Sequence, residues 1–288
     1  MFRSFRATLW TLIALATVPN AFSQDVVTPA AEVATPADDA TQTLAEKRYA
    51  LFAKQAALIS LKSEPNNQGL TLRHQPLQTF SSDGNTFGSV FLWKSSDGRP
   101  GAIGTIGSLP IGNNEFGFTE LHWLLPEPMQ LVTIGKAYPK GWTVPKDAIK
   151  TELIANSPIP AATSQSRLVQ MRTLARQFES HMTDAGTRHQ LRLLPQPLYR
   201  YDDPSPENDG GIFAYVWTIG TDPELLLHIQ ARQDGNKVQW YFQPIRFTWR
   251  ALELSHDNKE IWQAEEFFAR NQNRQTEAYI TTLTEVVE

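Results

Sequence analysis

Two groups of polar side chains in this sequence have the types and spacing that chemistry requires. The first is Glu120 and His122, which are separated by one residue. On a β-strand, side chains two residues apart point to the same face, so the carboxylate and the imidazole would be neighbours. Such a pair can transfer protons or ligate a metal ion. It also occurs as a structural salt bridge or a hydrogen-bonded core histidine, and the sequence favours this second interpretation.

The second group is the run Tyr199-Arg200-Tyr201-Asp202-Asp203. Alternation along a strand puts Tyr199 and Tyr201 on one face and Arg200 on the other. A guanidinium can bind a carboxylate through two parallel hydrogen bonds, although an arginine among acids commonly pairs with one of its own neighbours. The candidate polar cluster, to which no catalytic role is assigned, therefore comprises Glu120, His122, Tyr199, Arg200, Tyr201 and Asp202.

Motifs that signal known catalysis or cofactor binding do not occur in the chain. The sequence has no Gly-x-Ser-x-Gly, no His-Glu-x-x-His, no phosphate-binding Walker loop and no Gly-x-Gly-x-x-Gly. It has no cysteine, and its six histidines lack the spacing of metal ligands. We therefore expect no metal and no cofactor, and the sequence favours a non-catalytic protein over an enzyme.

The N-terminus has the pattern of a secretory signal peptide. Arg3 and Arg6 precede an apolar run from Ala7 to Val18, and the small residues Ala21 and Ser23 occupy the −3 and −1 positions of a cleavage site. We expect cleavage after Ser23 and export to the periplasm or the extracellular space. An uncleaved segment that anchors the protein is the alternative.

Charge and hydropathy narrow the range of partners. The chain carries a formal charge of −4, and loss of the two arginines of the signal peptide lowers it by two, to −6. A mildly acidic chain without a basic stripe does not suit a phosphate backbone, so we expect no nucleic-acid partner. After cleavage no segment is apolar enough for a transmembrane helix. A component of the cell envelope or another protein is the expected partner.

Two stretches of the chain resemble each other. Gln75–Phe80 matches Gln196–Tyr201 at an offset of 121 residues, and Asp97–Pro100 matches Gly220–Pro223 at an offset of 123. The matches keep chain order, and a helical pattern precedes each copy. This predicts an internal duplication of a helix-plus-sheet unit. The alternative is that two β-meanders share common turn residues.

The helical and strand patterns together define a fold class. A capping box at Thr43 and Glu46 starts a first helix that ends before Pro65. A second helical pattern has apolar residues from Leu168 to Met182 and ends at Gly186. Around both, alternating β-branched and aromatic residues predict strands. The sequence therefore predicts an α+β protein of antiparallel sheets with packed helices.

These patterns divide the chain into six consecutive segments. They are the signal peptide (1–23), a disordered tether rich in Ala, Pro and Thr (24–42), a first helix-plus-sheet unit (43–136), a Pro-rich connection (137–162), a second helix-plus-sheet unit (163–264) and a C-terminal tail (265–288).

The second unit carries three motifs that resemble those of a family of secreted bacterial proteins of unknown function. They are Arg-Leu-Val-Gln-Met-Arg-Thr-Leu-Ala-Arg-Gln-Phe at 167–178, Leu-Arg-Leu-Leu-Pro-Gln-Pro-Leu-Tyr-Arg-Tyr at 191–201 and Gly-Thr-Asp-Pro-Glu-Leu-Leu-Leu at 220–227. The resemblance extends over residues 163–264. It implies export and a β-rich core, and it supplies no reaction, ligand or site.

Three functions are compatible with these observations. The tether, the aromatic-rich sheets and the missing catalytic motifs favour a non-catalytic extracytoplasmic binding or scaffold protein. The alternative is an uncharacterised hydrolase or carbohydrate-active enzyme, which requires Glu120, His122 and the cluster from Tyr199 onward to converge in one pocket. A lipid carrier, the third possibility, requires a curved sheet that closes over an apolar cavity under a helix.

Overall fold

The computed structural model describes residues 43–64, 67–82, 85–131, 142–201, 205–217, 220–268 and 276–285. The segments expected to form the signal peptide and the tether lie outside the described residues, as does Asp202 of the candidate polar cluster.

Up to residue 144, the described chain contains one helix and nine strands. In chain order they are α1 (Leu44–Ala57), β1 (Leu61–Ser63), β2 (Gln68–Gly69), β3 (Thr71–Leu72), β4 (Gln78–Ser82), β5 (Thr86–Lys94), β6 (Pro100–Ile111), β7 (Asn114–Trp123), β8 (Met129–Leu131) and β9 (Thr143–Val144).

From residue 152 onward, it contains one helix, one short 3-10 turn and eleven strands. They are β10 (Glu152–Leu153), α2 (Ser164–Ala175), β11 (Phe178–Asp184), β12 (Thr187–Gln190), β13 (Arg192–Leu193), β14 (Tyr199–Tyr201), the 3-10 turn (Pro206–Asn208), β15 (Gly210–Val216), β16 (Pro223–Asp234), β17 (Lys237–Arg246), β18 (Ala251–His256), β19 (Lys259–Ala264) and β20 (Tyr279–Glu285).

The α+β prediction is wrong, because the described protein is mostly β. Strands hold 52% of the described residues and helices only 13%, and the strands form four antiparallel sheets. The second helix ends at Ala175, and Phe178–Asp184 is strand β11. Phe178 and Met182 are four residues apart, a spacing that suits one face of a helix and also one face of a strand. Alternating burial of Phe178, Ser180 and Met182 shows that the strand prevails.

Two large sheets share one strand order. The first large sheet runs β20-β7-β6-β5-β3, with β4 also paired to β5, and the second runs β10-β17-β16-β15-β13, with β14 also paired to β15. Two small sheets, β2-β1-β8-β9 and β12-β11-β18-β19, repeat a second common order. The two halves of the chain therefore have the same strand pairing, including a bulge after Trp93 and after Tyr215.

The inner faces of the large sheets pack against each other. Side chains such as Val90 and Ile103 of the first sheet form one core with Ile212 and Leu226 of the second. The outer face of each large sheet is covered by a helix together with residues of a small sheet. Within the described residues no helix is long and apolar enough to cross a membrane.

Each half of the chain gives its last strand to the sheet of the other half. Strand β10 precedes α2 in the chain but pairs with β17, where Glu152 lies opposite Phe242. Strand β20 follows the second half but pairs with β7, where Tyr279 lies opposite His122. Both strands lie at the edge of their sheet, so the two halves exchange edge strands reciprocally.

An aromatic ring covers a glycine at the same place in each large sheet. Phe80 lies opposite Gly88, and Tyr201 lies opposite Gly210. A Cβ added to Gly88 would lie 2.1 Å from Phe80 Cζ, and one added to Gly210 would lie 2.2 Å from the Tyr201 hydroxyl oxygen. Glycine is needed at both positions because a side chain there would occupy the space of the ring.

Candidate acidic cavity

A cavity of about 580 Å3 opens at one end of the space between the large sheets. Strands β7 and β20 of the first sheet contribute to its wall, together with the start of β16 and the segment that follows β17. Glu120, Asp222 and Glu224 line it, and we refer to it as the acidic cavity. Its size falls within the ~300–1,000 Å3 typical of small-molecule sites.

Register places Glu120 on the inner face of the first sheet. Glu120 lies opposite Thr105, which lies opposite Val90, and Val90 belongs to the core between the sheets. The neighbouring Leu121 packs into the outer core instead. The Glu120 side chain is only 7% exposed and accepts a hydrogen bond of 2.6 Å from the Tyr279 hydroxyl.

Burial changes the acidity of Glu120. Loss of hydration raises its pKa to about 8, and the negative charge of Glu224 acts in the same direction. The hydrogen bond from Tyr279 and the charges of Arg246 and Arg250 oppose this rise in pKa without cancelling it. A carboxyl group with such a pKa can hold or release a proton near neutral pH.

The other two acids of the cavity come from the beginning of β16. Glu224 is 4% exposed, and burial raises its pKa to about 7, while Arg250 and a hydrogen bond to Thr248 lower it. Burial and the charges of Glu224 and Glu120 also raise the pKa of the Asp222 carboxyl. The three carboxyl groups therefore influence one another's protonation.

Two arginines support the wall opposite these acids. Arg246 is 7% exposed and donates hydrogen bonds to the backbone oxygens of Thr248, Trp249 and Arg250. Its guanidinium also lies 5.3 Å from the centre of the Tyr279 ring. These contacts fix the segment after β17 against strand β20, and that segment carries Thr248 and Arg250 to the cavity.

Arg250 links this segment to a small sheet and to two aromatic rings. Its Nε donates to Asp184 Oδ1 at 2.6 Å. The guanidinium lies 4.8 Å from the ring centre of Trp249 and 5.7 Å from that of Trp217. Both indoles line the acidic cavity, so each already offers a face to a cation.

Most of the remaining wall is apolar, and part of it is exposed. Trp249 is 36% exposed, Phe268 62%, Leu283 53% and Ile111 44%, and all four line the acidic cavity. Exposed large apolar side chains gathered around a cavity are typical of binding sites. The arrangement combines buried carboxyl groups with an aromatic and aliphatic rim.

His122 shares the inner face with Glu120, as its spacing predicted, but it does not line the cavity. Its Nδ1 donates to the backbone oxygen of Trp123 at 2.7 Å, because a carbonyl oxygen can only accept. Burial lowers its pKa to about 4. His122 is therefore a neutral, hydrogen-bonded core histidine at ordinary pH, and proton transfer or metal ligation by the pair finds no geometric support.

Arg200 belongs to a buried ion-pair network away from the acidic cavity. Its Nη2 donates to Asp209 Oδ2 at 2.9 Å and to the Ser164 hydroxyl at 2.8 Å. Arg167 Nε donates to the same Asp209 oxygen at 2.6 Å, and both side chains are fully buried. Arg200 therefore helps to fix helix α2 to the second large sheet.

Tyr199 and Tyr201 also make structural contacts. The Tyr199 hydroxyl donates to the backbone oxygen of Gly98 at 3.2 Å. Tyr201 donates to His228 Nε2 at 2.8 Å, and His228 Nδ1 faces Gln243 Oε1 at 3.4 Å. Of the residues of the predicted cluster that the structure describes, only Glu120 lines the acidic cavity, and His122, Tyr199, Arg200 and Tyr201 are not among its lining residues.

The equivalent position in the second sheet carries no carboxyl group. In the first sheet Val90, Thr105 and Glu120 form one cross-strand row, and in the second Ile212, His228 and Gln243 form its counterpart. These two rows are equivalent because Val90 and Ile212 lie two residues after the glycines that the aromatic rings cover. The equivalent of Glu120 is therefore Gln243.

The same comparison applies to the other two acids. Pro100 and Pro223 occupy equivalent places after the bulges, so Arg99 corresponds to Asp222 and Gly101 to Glu224. The repeat alignment of the sequence already placed Arg99 against Asp222. This opposite charge at a repeated turn was the signal that could have pointed to Asp222 and Glu224. Tyr279 and Arg250 carry no comparable local signal.

Comparison with protein-family models, curated proteins and solved structures finds no match to this chain. Among the described residues, no three His, Cys, Asp or Glu side chains are close enough to hold one metal ion. The candidate site is an apolar cavity with ionisable carboxyl groups on its wall.

Proposed function

We propose that the chain is an exported, non-catalytic binding module and that the acidic cavity holds its small-molecule ligand. One observation carries the proposal, namely a cavity of about 580 Å3 that combines an aromatic rim with three carboxyl groups. Pockets of this size, with mostly apolar walls and a few convergent polar groups, are the usual form of ligand sites. The edge strand β20 holds this wall together, since it supplies Leu283 to the lining and the Tyr279 hydroxyl that donates to Glu120.

Export is the second part of the proposal. It is supported by the charged, apolar and small-residue pattern of the N-terminus and by the resemblance to secreted bacterial proteins. A ligand or partner in the cell envelope would be reached there. N-terminal sequencing of the protein from an envelope fraction tests this, and a mature chain that begins at Gln24 is expected. An intact N-terminus in the cytoplasmic fraction would contradict export.

A filled cavity tests the binding function. Ser82 lines the cavity, and the Ser82→Phe variant should occupy part of it, whereas Ser81→Phe places the same ring on the adjacent, exposed position of strand β4. Small molecules that copurify with each variant can be identified by native mass spectrometry, and fragment binding can be followed by NMR. We expect wild-type protein and Ser81→Phe to bind, and Ser82→Phe to bind at least about tenfold more weakly.

Two results together would contradict the binding function. It is wrong if a chemically varied set of cationic, neutral and anionic fragments shows no binding that Ser82→Phe weakens, and if no compound copurifies. Copurification of acyl chains that Ser82→Phe abolishes would instead favour the lipid carrier. In that case the cavity stays the site, although it lies between two sheets rather than under a helix.

A hydrolase or carbohydrate-active enzyme remains a second candidate because of one observation. Burial brings the pKa of Glu120 to about 8 and that of Glu224 to about 7, and acid–base catalysis uses carboxyl groups of this kind. The convergence with Tyr199 and its neighbours that this candidate required is not found. Turnover of a panel of glycosides and esters that Glu120→Gln and Glu224→Gln both abolish would establish it, and no turnover would remove it.

A further inference from the structure

We infer that the ligand of the acidic cavity is an organic cation, an ammonium group on an apolar or aromatic body. The inference rests on the proposed binding function and names the class of ligand. It follows from the sign of the charges on the wall, from the aromatic faces beside them and from the difference between the two halves of the chain.

The ionisable groups around the cavity are mostly acidic. Glu120, Asp222 and Glu224 line it, and Asp184 lies behind Arg250. Two cations lie beside these acids: Arg246 is the last residue of β17, and Arg250, in the segment that follows, donates to Asp184. Four carboxyl groups thus face two guanidinium groups, and Tyr279 and His122 add no charge at neutral pH.

Aromatic rings complete a site for a cation with an apolar body. Trp217 and Trp249 line the cavity, and the guanidinium of Arg250 already lies within 6 Å of both ring centres. The apolar body of a ligand can pack against the parts of the indoles that Arg250 leaves uncovered. Phe118 and Phe247 add apolar wall deeper in the core between the sheets. An ammonium near the carboxyl groups would leave the rest of such a ligand against these rings.

The fold does not need these carboxyl groups. Each half achieves the same strand pairing without the acids of the other half: Gln243 takes the place of Glu120 in the second half. In the first half, Arg99 and Gly101 take the places of Asp222 and Glu224. Burying Glu120 and Glu224, each more than nine-tenths buried, is unfavourable unless a partner compensates for lost hydration. A cation in the cavity is such a partner, and it would be absent from the equivalent end.

Protonation of the acids should make the affinity for a cationic ligand depend on pH in a distinctive way. Burial raises the pKa of Glu224 to about 7 and of Glu120 to about 8, so the empty cavity holds protons at mildly acidic pH. An ammonium favours the ionised carboxylates, so its affinity should rise between pH 6 and pH 8.5 as these protons leave. A neutral ligand of the same shape should show the opposite trend or none.

Three probes with one carbon skeleton test the class of ligand: 4-phenylbutylamine, 4-phenylbutanol and 4-phenylbutyrate. Titration calorimetry and the indole NMR signals of Trp217 and Trp249 report binding. At pH 8 we expect the amine to bind at least about tenfold more tightly than the alcohol, and the carboxylate most weakly. Lowering the pH to 6 should weaken amine binding several-fold.

Variants separate charge from shape. Glu120→Gln and Glu224→Gln keep the size of the side chain, and each should weaken the amine about tenfold while it changes the alcohol less than about twofold. Glu260→Gln, an exposed residue on β19, is the matched control and should change neither. Thermal unfolding of each variant verifies that the fold is retained.

Failure of the inference can be told apart from failure of the binding function. If the alcohol or the carboxylate binds as tightly as the amine, or if the amine fails to bind at pH 8 while other fragments bind in a way that Ser82→Phe weakens, the cavity is a site for another class of ligand. If no fragment binds in that way, the binding function itself is wrong. Amine binding that survives both glutamate changes would also overturn the inference.

Discussion

Tyr279 donates its hydroxyl proton to Glu120 at 2.6 Å, although 159 residues separate them in the chain. The contact exists because β20 pairs with β7 at the edge of the first large sheet. It joins the end of the described chain to the acidic cavity through a short hydrogen bond to Glu120.

The Tyr279→Phe variant should therefore change both stability and acidity. Loss of this hydrogen bond should lower the free energy of unfolding by about 1 kcal/mol. Because the bond lowers the pKa of Glu120, its removal should raise that pKa further above 8. Urea denaturation measures the first effect, and a carboxyl-carbon NMR titration measures the second.

Tyr241→Phe is the matched control. Tyr241 donates to the exposed Asp234 at 3.0 Å, far along the chain from Glu120. This change should leave the pKa of Glu120 where it is. An unchanged Glu120 titration in Tyr279→Phe would show that the hydrogen bond is not formed in solution.

The buried acids should make the protein less stable as pH rises. Glu120 has an ordinary pKa of 4.5 in the unfolded chain and about 8 in the fold, and Glu224 changes from 4.5 to about 7. Between these values the folded state keeps protons that the unfolded state releases. The contribution of these groups to the free energy of unfolding is therefore fully present below pH 4.5 and is lost as the pH rises to 8. We expect a loss of a few kcal/mol, at ~1.4 kcal/mol for each pKa unit.

Denaturation curves at several pH values between 5 and 8.5 check this loss. The double variant Glu120→Gln and Glu224→Gln removes both titrations, so its free energy of unfolding should fall much less than that of wild type between pH 6.5 and pH 8.5. The exposed Glu260→Gln should behave like wild type. A wild-type protein whose stability does not fall with pH would mean that the carboxyl groups are solvated.

His228 should have the opposite effect on the pH dependence of stability. Burial lowers its pKa from 6.5 to about 4, and the hydrogen bond to Gln243 opposes this shift without cancelling it. Below pH 6.5 the unfolded state binds a proton that the fold excludes, so stability falls as pH decreases towards 4. His228→Gln should reduce this acid-side loss by ~3 kcal/mol between pH 7 and 4.

Stability of the histidine variant is measured by urea denaturation at pH 4 and pH 7. His74→Gln, on an exposed residue, is the control and should keep the wild-type difference between the two pH values. His122 is buried with a similarly low pKa and should account for the loss that remains. Equal acid sensitivity of His228→Gln and wild type would contradict a neutral His228 in the fold.

The glycines under the aromatic rings should not tolerate even a methyl group. In Gly88→Ala the new Cβ would lie 2.1 Å from Phe80 Cζ, so the ring must move from its buried position. We expect a loss of ~1–3 kcal/mol in the free energy of unfolding. Gly69→Ala meets no atom within 4 Å and should cost much less. Equal losses at both positions would show that crowding by Phe80 is not the cause.

Local patterns predicted local structure correctly. The capping box at Thr43 and Glu46 starts α1, and alternating β-branched and aromatic residues form strands such as β15, which is buried on both faces. The prediction of the fold class was wrong where one pattern fits two structures, as in the apolar spacing of Phe178 and Met182. There, pairing of β11 with β18, more than sixty residues later, decides between helix and strand.

Only those residues of the site that a short-range sequence pattern marks could be predicted from the sequence. Glu120 was found because His122 stands two residues away, yet these two residues do not act together. The partners of Glu120 arrive through long-range pairing, since Tyr279 is on β20 and Glu224 is on β16. No spacing in the sequence connects them, and only a comparison of the two halves hints that Asp222 and Glu224 are unusual.

The exchange of edge strands also has a consequence for how the protein folds. The first large sheet remains without β20 until a segment about 160 residues beyond β7 is available, because Tyr279 must reach His122. Contacts of such large sequence separation slow folding, since the chain must close a long loop before the contact stabilises it. During synthesis, β7 would expose an unpaired edge for the whole time that the second half is made. The last step of folding is then the one that encloses Glu120 and completes the cavity.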